Sequence, residues 1–262
     1  MLKARVVTAL FLVAGFLAVL FLLPAGAVAL VFAIIAALAA WEWAGLLQAG
    51  KLARSVFGVF VLLSCLALSL QPATGFPLLW LIAAFFWLLV APFWLARRWE
   101  PGCMGYPVGW LLLVPTWAAL VDLYGRSPWL LLATMALAWV ADTAAYFTGR
   151  ACGRHKLAPA ISPGKTWEGV AGAVVGVAAY GLLATPALPQ FHGIGWPVLL
   201  GWLLLLTALG IVGDLFESLV KRQAGLKDSS QLLPGHGGIL DRIDSQISTL
   251  PLVALGLYWA GP

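Results

Sequence analysis

Apolar runs about as long as a membrane-spanning helix recur along the whole chain. A helix that crosses the hydrocarbon core of a bilayer needs about 20 predominantly apolar residues, with a range of about 17–25. The runs that approach this length are 6–23, 27–47, 55–70, 76–96, 108–123, 129–148, 170–186, 198–219 and 247–259. The last of them is short. The pattern predicts an all-α polytopic membrane protein with about nine transmembrane helices.

The composition excludes an ordinary soluble domain. Of the 262 residues, 63% are hydrophobic and 14 are Trp, and the mean hydropathy is +0.99. Soluble domains are only about 45–50% apolar. The three cysteines, Cys65, Cys103 and Cys152, have neither metal-ligand nor paired spacing, so small apolar packing roles are favoured for them.

The first apolar run has some features of a secretory signal peptide. Lys3 and Arg5 precede it, and small residues at 25–29 offer a cleavage site. Its apolar stretch is longer than the roughly 7–15 residues of a signal core, and a second run follows almost at once. We therefore favour an uncleaved membrane anchor.

The basic residues indicate the orientation of the chain, because cytoplasmic loops carry an excess of Lys and Arg. Nine spans with a cytoplasmic N-terminus leave only Arg126 on the far side. All the other basic residues fall on the cytoplasmic side: Lys3, Arg5, Lys51, Arg54, Arg97, Arg98, Arg150, Arg154, Lys156, Lys165, Lys221, Arg222, Lys227 and Arg242. The two long polar loops, 149–169 and 221–246, are therefore predicted to share the cytoplasmic face.

Charge is concentrated between Gly213 and Ser245, in a chain that is only 10% charged. This stretch holds five acidic and four basic residues together with His236. Ionised Asp and Glu only accept hydrogen bonds, Lys and Arg only donate them, and glycine-rich turns expose backbone N–H groups. Such a mixture suits a metal ion and phosphate groups.

Four acidic residues fall within predicted spans, where an ionisable side chain is costly and often functional. They are Glu42, Asp142, Asp214 and Glu217. Asp214, Glu217, Ser218 and Lys221 share one helical face, and Asp142, Tyr146 and Arg150 share another. The alternative is that these acids pair with cations to hold helices together, which is the simpler interpretation for Glu42 and an equal one for Glu217.

Asp241 and Asp244 lie three residues apart, on one face if the segment is helical. Together with Asp214 they form a candidate Mg²⁺ site, because hard divalent cations prefer carboxylates and phosphate oxygens. The glycine-rich segment 234–238 precedes them. It is either a backbone nest for phosphate or simply a turn that reverses the chain.

The segment 162–169 contains Gly-Lys-Thr, but it is not a P-loop. That motif requires a glycine where this chain has Pro159, and a preceding strand where it has a predicted membrane helix. A narrower role remains for Ser162, Lys165 and Thr166, whose side chains can bind phosphate oxygens.

The ordered pattern of Ser218-x-x-Lys221-Arg222, Lys227-Asp228 and 234–244 (Pro-Gly-His-Gly-Gly-Ile-Leu-Asp-Arg-Ile-Asp) resembles the signature of the phosphatidate cytidylyltransferases. The segments 142–150 and 162–169 also look like that family. These motifs cover 142–245, and the first five spans match only as variable hydrophobic helices. The resemblance implies a cytidylyltransferase-type helical bundle in a bacterial inner membrane, in which 1–128 is a scaffold and 129–262 is catalytic.

The same resemblance implies that CTP condenses with phosphatidic acid to give CDP-diacylglycerol and pyrophosphate. It also implies a homodimer, no nucleic-acid partner, Mg²⁺ held around Asp214 and Asp241, and K⁺ as a second cation. Phosphate neutralisation falls to Lys165, Lys221, Arg222, Lys227 and Arg242. Hydrogen bonds to substrate fall to Ser162, Thr166, Ser218, Gly237 and Gly238.

Three of these roles stay open. Asp244 is either a third metal ligand or a support for the other two. Asp142 either orders Arg150 or a lysine, or holds the metal indirectly. His236 either binds the leaving pyrophosphate or makes a structural hydrogen bond. Because a phosphate monoester is largely dianionic near neutral pH, metal-assisted transfer is expected to need no strong base and no covalent intermediate.

Two other classes of membrane protein compete with this interpretation. A CDP-alcohol phosphotransferase would require Asp-Gly-x-x-Ala-Arg, which the chain lacks. A secondary transporter could use Asp142, Asp214 and Glu217 as an ion relay. However, the polar groups crowd one predicted face, and no internal repeat is evident.

Overall fold

The computed structural model describes residues 2–71 and 76–260, with side chains from residue 8 onward. Its helices and strands are α1 (Leu2–Leu22), α2 (Ala25–Leu46), α3 (Lys51–Ser69), α4 (Pro77–Phe85), α5 (Ala91–Arg97), α6 (Gly105–Arg126), α7 (Pro128–Cys152), β1 (Lys156–Ala158), β2 (Ser162–Thr166), α8 (Trp167–Ala184), α9 (Trp196–Gln223) and α10 (Leu240–Ala260). Each predicted span lies largely within a helix or a helical pair, so the helical character of the spans is confirmed.

Seven helical segments among the described residues are long and apolar enough to cross a membrane. They are Ala25–Leu46, Lys51–Ser69, Pro77–Arg97, Gly102–Arg126, Pro128–Cys152, Trp167–Ala187 and Trp196–Gln223. In α1 a shorter apolar helical stretch, Thr8–Leu22, is present, and α10, which begins with Asp241, Arg242 and Asp244, is not among the seven. A polytopic membrane protein is therefore confirmed, whereas the number nine stays a prediction.

The fourth predicted span is not a continuous α-helix. A π-helical turn, Phe86–Val90, separates α4 from α5. Pro92 follows in the first turn of α5, and proline has no N–H to continue the regular hydrogen-bond ladder. Such turns are usual where an α-helix must absorb a local irregularity.

The two long polar loops are shorter than the sequence indicates. Within 149–169, α7 continues to Cys152, and β1 and β2 then form an antiparallel hairpin before α8 begins at Trp167. Within 221–246, α9 continues to Gln223 and α10 begins at Leu240. The hairpin also means that the chain is not purely α-helical.

Helix α10 lies in the centre of the bundle and packs on α4, α6, α7 and α9. Its side chains are buried without a break from Ser245 to Leu255. A helix that is buried all round must be enclosed by other helices. The position of α10 therefore depends on the whole bundle.

An aromatic cluster fixes α9 against the N-terminal helices. Phe216 stacks on Trp43 of α2, with ring centroids 6.4 Å apart, and it meets Phe86, Trp87 and Trp94 edge-on. Aromatic pairs in such arrangements add to the energy of packing. Phe216 lies between Asp214 and Glu217 in sequence, so the cluster holds the part of α9 that carries these acids against α2, α5 and the π-helical turn.

Small residues let α7 and α8 approach closely. A Cβ atom added at Gly176 would lie 2.7 Å from the Cβ atom of Ala144, and one at Gly169 would lie 3.0 Å from the carbonyl oxygen of Ala145. Close contact through small residues is the usual way in which helices pack in membranes. It holds the hairpin, which joins these two helices, beside α9.

Candidate active site

A cavity of about 440 Å³ lies between α7, α8, α9 and α10 and reaches the hairpin β1–β2. Its charged and polar lining includes Asp142, Arg150, Ser162, Lys165, Thr166 and Asp214. Leu137, Ala173 and Leu206 form part of a largely apolar wall further along the helices. The volume is typical of a small-molecule site. Charged groups at one end and apolar walls beyond them suit an amphiphilic ligand.

An ion pair joins the two loop regions across this cavity. Lys165 Nζ, on β2, lies 2.5 Å from Asp214 Oδ2, on α9. About a quarter of each side chain is exposed, 24% and 26% respectively, so both groups can be reached from the cavity. Ser218, one helical turn beyond Asp214, donates its hydroxyl hydrogen to Asp214 Oδ1 at 3.2 Å. The predicted meeting of the two polar regions is therefore present.

Three carboxylates influence one another near this ion pair. Gly213 lets α10 pass close to α9, since a Cβ atom there would lie 2.5 Å from the carbonyl oxygen of Asp244. Burial, followed by the negative charges of Asp214 and Asp142, raises the pKa of Asp244 from 3.8 to about 7. A bound cation would relieve this repulsion.

The predicted trio of metal ligands is not preassembled. No group of three or more His, Cys, Asp or Glu side chains among residues 2–71 and 76–260 is arranged as a metal site. Asp214 and Asp244 still fit a divalent cation, because hard cations prefer carboxylate oxygens and the repulsion at Asp244 calls for positive charge. Asp241 differs from them in its surroundings.

Both carboxylate oxygens of Asp241 are occupied by protein donors. Oδ1 accepts a hydrogen bond from Lys221 Nζ at 2.7 Å. Oδ2 accepts from the backbone N–H groups of Ser229 and Gly238, each at 2.8 Å, and from the Ser229 hydroxyl at 3.0 Å. Burial opposes ionisation, but these hydrogen bonds hold the pKa of Asp241 below its usual value. Asp241 therefore organises the glycine-rich turn in this structure.

Lys221 is buried between two carboxylates. Its side chain is 11% exposed, and Nζ also lies 3.1 Å from Glu217 Oε1, whose side chain is 1% exposed. This second contact is an ion pair by distance but does not have hydrogen-bond geometry. The predicted phosphate-binding lysine thus serves here as the counter-ion of Asp241 and Glu217.

The hydrogen-bond partners of Glu42 could not be predicted from the sequence. It is fully buried at the end of α2, and its carboxylate accepts hydrogen bonds from Ser229, Ser230, Ile239 and Leu240. The signal in the sequence is a lone acid inside an apolar span, which is costly unless it is paired. Nothing in the sequence shows that its partners lie about 190 residues away.

Two of the other predicted ligands, Thr166 and Gly238, make hydrogen bonds within the protein. The Thr166 hydroxyl caps α8 by accepting from the N–H of Gly169 at 3.1 Å. The Gly238 N–H is used by Asp241, while Gly237 adopts a positive φ of 79°, which only glycine adopts without strain. His236 Nδ1 is buried and has no hydrogen-bond partner among the described residues.

The remaining basic residues lie near the hairpin or face solvent. Arg150 donates to the Tyr146 hydroxyl at 2.9 Å, so the predicted ordering of Arg150 by Asp142 is not seen. Arg222 Nε donates to the carbonyl oxygen of Ile161 at 3.4 Å and so links α9 to the hairpin. Lys227 and Arg242 are exposed.

Comparison with known proteins shows the family of the chain. A model described as the cytidylyltransferase family matches residues 3–259. The chain is 42% identical to a phosphatidate cytidylyltransferase of Pseudomonas aeruginosa, over 100% of this chain and 98% of the relative. It is 34% identical to one of Haemophilus influenzae, over 96% of each chain, and 45% identical to one of Staphylococcus aureus over 45% of this chain and 44% of the relative. The chain therefore belongs to the cytidylyltransferase family, a family of nucleotidyltransferases.

Proposed function

We propose that this protein is a phosphatidate cytidylyltransferase, which condenses CTP with phosphatidic acid to give CDP-diacylglycerol and pyrophosphate. The observation that carries the proposal is the cavity between α7, α8, α9 and α10. Lys165 and Arg150 at its charged end suit phosphate groups, and its apolar walls suit the lipid part of a substrate. The names of the full-length relatives support the same two substrates.

In the proposed reaction a phosphate oxygen of phosphatidate attacks the α-phosphorus of CTP. The new P–O bond forms as the bond between the α-phosphorus and the bridging oxygen breaks, and pyrophosphate leaves with that oxygen. The attacking phosphate monoester has a second pKa of about 6, so it is largely dianionic near neutral pH. No covalent enzyme intermediate is required, and the main task of the site is to position two anions that repel each other.

The basic side chains carry most of this task. Lys165 forms an ion pair with Asp214. In the proposed reaction its ammonium exchanges this partner for a phosphate group at the charged end of the cavity. Arg150 lines the same end, while Arg222, Lys227 and Arg242 add positive charge around it. Lys221 contributes through Asp241, because its ammonium is already shared by buried carboxylates.

Asp214 and Asp244 would hold a divalent cation, Mg²⁺, and K⁺ would be a second cation. Such an ion would neutralise charge that develops on the phosphates. Asp241 supports the site by ordering the turn before α10, and Asp142 adds negative charge near Asp244.

We also propose how the chain is arranged in the membrane. Nine helices cross a bacterial inner membrane, the N-terminus is cytoplasmic, and the cavity opens to the cytoplasm. This orientation would admit a water-soluble nucleotide from one side and a lipid from the bilayer. We further propose that residues 1–128 form the scaffold of a homodimer and that 129–262 carry catalysis.

The test is an assay of purified protein with labelled CTP, phosphatidate vesicles and Mg²⁺. We expect label in the lipid extract together with released pyrophosphate. Asp214→Asn should lower product formation by at least about 100-fold, a loss common when one key electrostatic group of a site is removed, while the variant remains folded in the membrane.

Glu100→Gln, at an exposed position after α5, is the matched control and should retain wild-type turnover. Wild-type protein that makes no lipid product would overturn the proposed function. Label retained inside vesicles without chemical change would favour the transporter instead.

A further inference from the structure

Glu42 reaches the catalytic region from the part of the chain that otherwise resembles a scaffold. Its residue is 0% exposed. Oε1 accepts hydrogen bonds from the Ser230 hydroxyl at 2.6 Å and the Ile239 N–H at 3.0 Å. Oε2 accepts from the Ser229 hydroxyl at 3.1 Å and the Leu240 N–H at 2.8 Å. All four partners are donors, which suits an ionised carboxylate.

Two of these donors belong to the beginning of α10. The first N–H groups of a helix have no partner within the helix, and here Glu42 on α2 accepts hydrogen bonds from the N–H groups of Ile239 and Leu240. Negative charge is also favourable at a helix N-terminus. Glu42 thus fixes where α10 begins.

The same carboxylate shapes the turn before α10. A Cβ atom at Gly238 would lie 2.6 Å and 2.7 Å from the two Glu42 oxygens, so only glycine fits beside them. The Ser229 hydroxyl lies between Glu42 Oε2 and Asp241 Oδ2. Asp241 in turn holds Lys221 and the Gly238 N–H.

We infer that Glu42 is a positioning residue of the cytidylyltransferase reaction. By fixing the first turn of α10, it sets the positions of Asp241 and Asp244 relative to Asp214 without touching substrate. The inference rests on the proposed function. It predicts that loss of the carboxylate impairs the reaction step more than it impairs lipid binding, because α7, α8, α9 and the hairpin supply most of the cavity lining, whereas α10 contributes Ser245 and Thr249.

The test replaces Glu42 by Gln, which keeps the shape but points an NH₂ group at N–H or O–H donors. We expect kcat to fall by at least about tenfold, equivalent to about 1.4 kcal/mol, while the KM for phosphatidate changes by less than about threefold. Amide hydrogen exchange of the segment 233–245 in substrate-free protein should become faster. Glu100→Gln is again the matched control and should leave both measurements unchanged.

Ser230→Ala provides a milder second variant, since it removes one donor to Glu42 and leaves α2 intact. We expect a smaller change in kcat and in exchange, in the same direction. If Glu42→Gln is folded and shows wild-type kcat and exchange, the inference is overturned. If Glu42→Gln does not fold, unchanged kcat and exchange in Ser230→Ala overturn it instead.

The two proposals can fail separately. Wild-type protein without lipid product contradicts the proposed function, and the exchange measurement then still decides whether Glu42 fixes α10. If the wild-type protein is active and Glu42→Gln leaves kcat and hydrogen exchange unchanged, only the inference about Glu42 is contradicted.

Discussion

At the scale of single residues, the site consists of a cavity and a buried network behind it. The network runs from Glu42 through Ser229 and Asp241 to Lys221 and Glu217. Removing one member of a buried ion pair costs about 3–5 kcal/mol, because the partner is left as an uncompensated buried charge. These residues therefore limit how far the site can tolerate substitution even where they do not line the cavity.

The Asp244 carboxylate is expected to lower the stability of the cation-free protein, although the proposed reaction requires it. Its ionised form is disfavoured by burial and by Asp214 and Asp142, so the charge destabilises the cation-free protein above neutral pH. Asp244→Asn removes that charge and should raise Tm in EDTA at pH 8 by about 2–4 °C, equivalent to about 1 kcal/mol, while abolishing most activity. Thermal unfolding and the lipid-product assay check the two parts.

The control for Asp244→Asn is Glu100→Gln, which is not expected to move Tm. An Asp244→Asn protein that unfolds at a lower temperature than wild type in EDTA would contradict the idea that Asp244 is strained by like charge. Retained wild-type turnover would contradict its proposed place beside the cation.

The sequence predicts which residues form the candidate site better than it predicts the contacts between them. Asp214 and Lys165 were expected to share a site and do so, because helical spacing and topology bring their segments together. The pairing of Glu217 with a cation was an open alternative and is present as its contact with Lys221, whereas the pairing of Lys221 with Asp241 was not expected. A one-dimensional pattern shows that a residue is charged, but whether its charge is consumed by a neighbour depends on the packing of separate helices.

At the scale of elements, the hairpin is the part that connects the two halves of the cavity. It follows α7, precedes α8, and is tied to α9 by Lys165 and Arg222. Its placement depends on the close contact of α7 with α8, where Gly176 faces Ala144. A substitution in the contact between α7 and α8 should therefore alter the geometry at the charged end of the cavity.

Gly176→Leu tests this dependence. A side chain there would clash with Ala144, and overpacking of this kind typically costs about 1–3 kcal/mol. We expect a lower Tm and reduced turnover in the lipid-product assay. Gly201→Leu is the matched control, because Gly201 on α9 is exposed and a Cβ atom there meets nothing within 4 Å. Equal effects of the two substitutions would contradict the proposed role of the α7–α8 contact.

Apolar runs located the helices, whereas the hairpin was missed. Its residues, 156–166, lack the alternation of apolar and polar side chains that marks a strand. The hairpin is held instead by long-range contacts, such as the hydrogen bond from Arg222 to Ile161, which no local pattern reports. The π turn at Phe86–Val90 likewise lies inside an uninterrupted apolar run.

At the scale of the whole molecule, the charged end of the cavity, the hairpin and the glycine-rich turn lie where α7 and α9 end and α8 and α10 begin. The proposed topology places this end in the cytoplasm. Cys103 and Cys152 are exposed, while Cys65 is buried, and both exposed cysteines fall on the proposed cytoplasmic side. Labelling of these native cysteines can therefore report the orientation of the chain in the membrane.

A membrane-impermeant maleimide should label Cys103 and Cys152 in inverted membrane vesicles but not in intact spheroplasts. Gly125→Cys, made in a background with Cys103→Ala and Cys152→Ala, places a thiol at an exposed position near Arg126 and should give the opposite result. Labelling of native cysteines from outside intact cells would contradict the proposed orientation. It would also contradict the count of nine spans or the position of the N-terminus.

The central position of α10 has a consequence for how the protein is made. In chain order α10 follows α1 to α9, and it packs on α4, α6, α7 and α9. With its acidic first turn, it is poorly suited to leave the translocon alone into lipid. Helices α1 to α9 must therefore pack first and leave a protein-lined space for α10. Asp241 and Asp244, at its start, would therefore reach the candidate site only after α1 to α9 have packed, and a chain that stops before α10 would lack them.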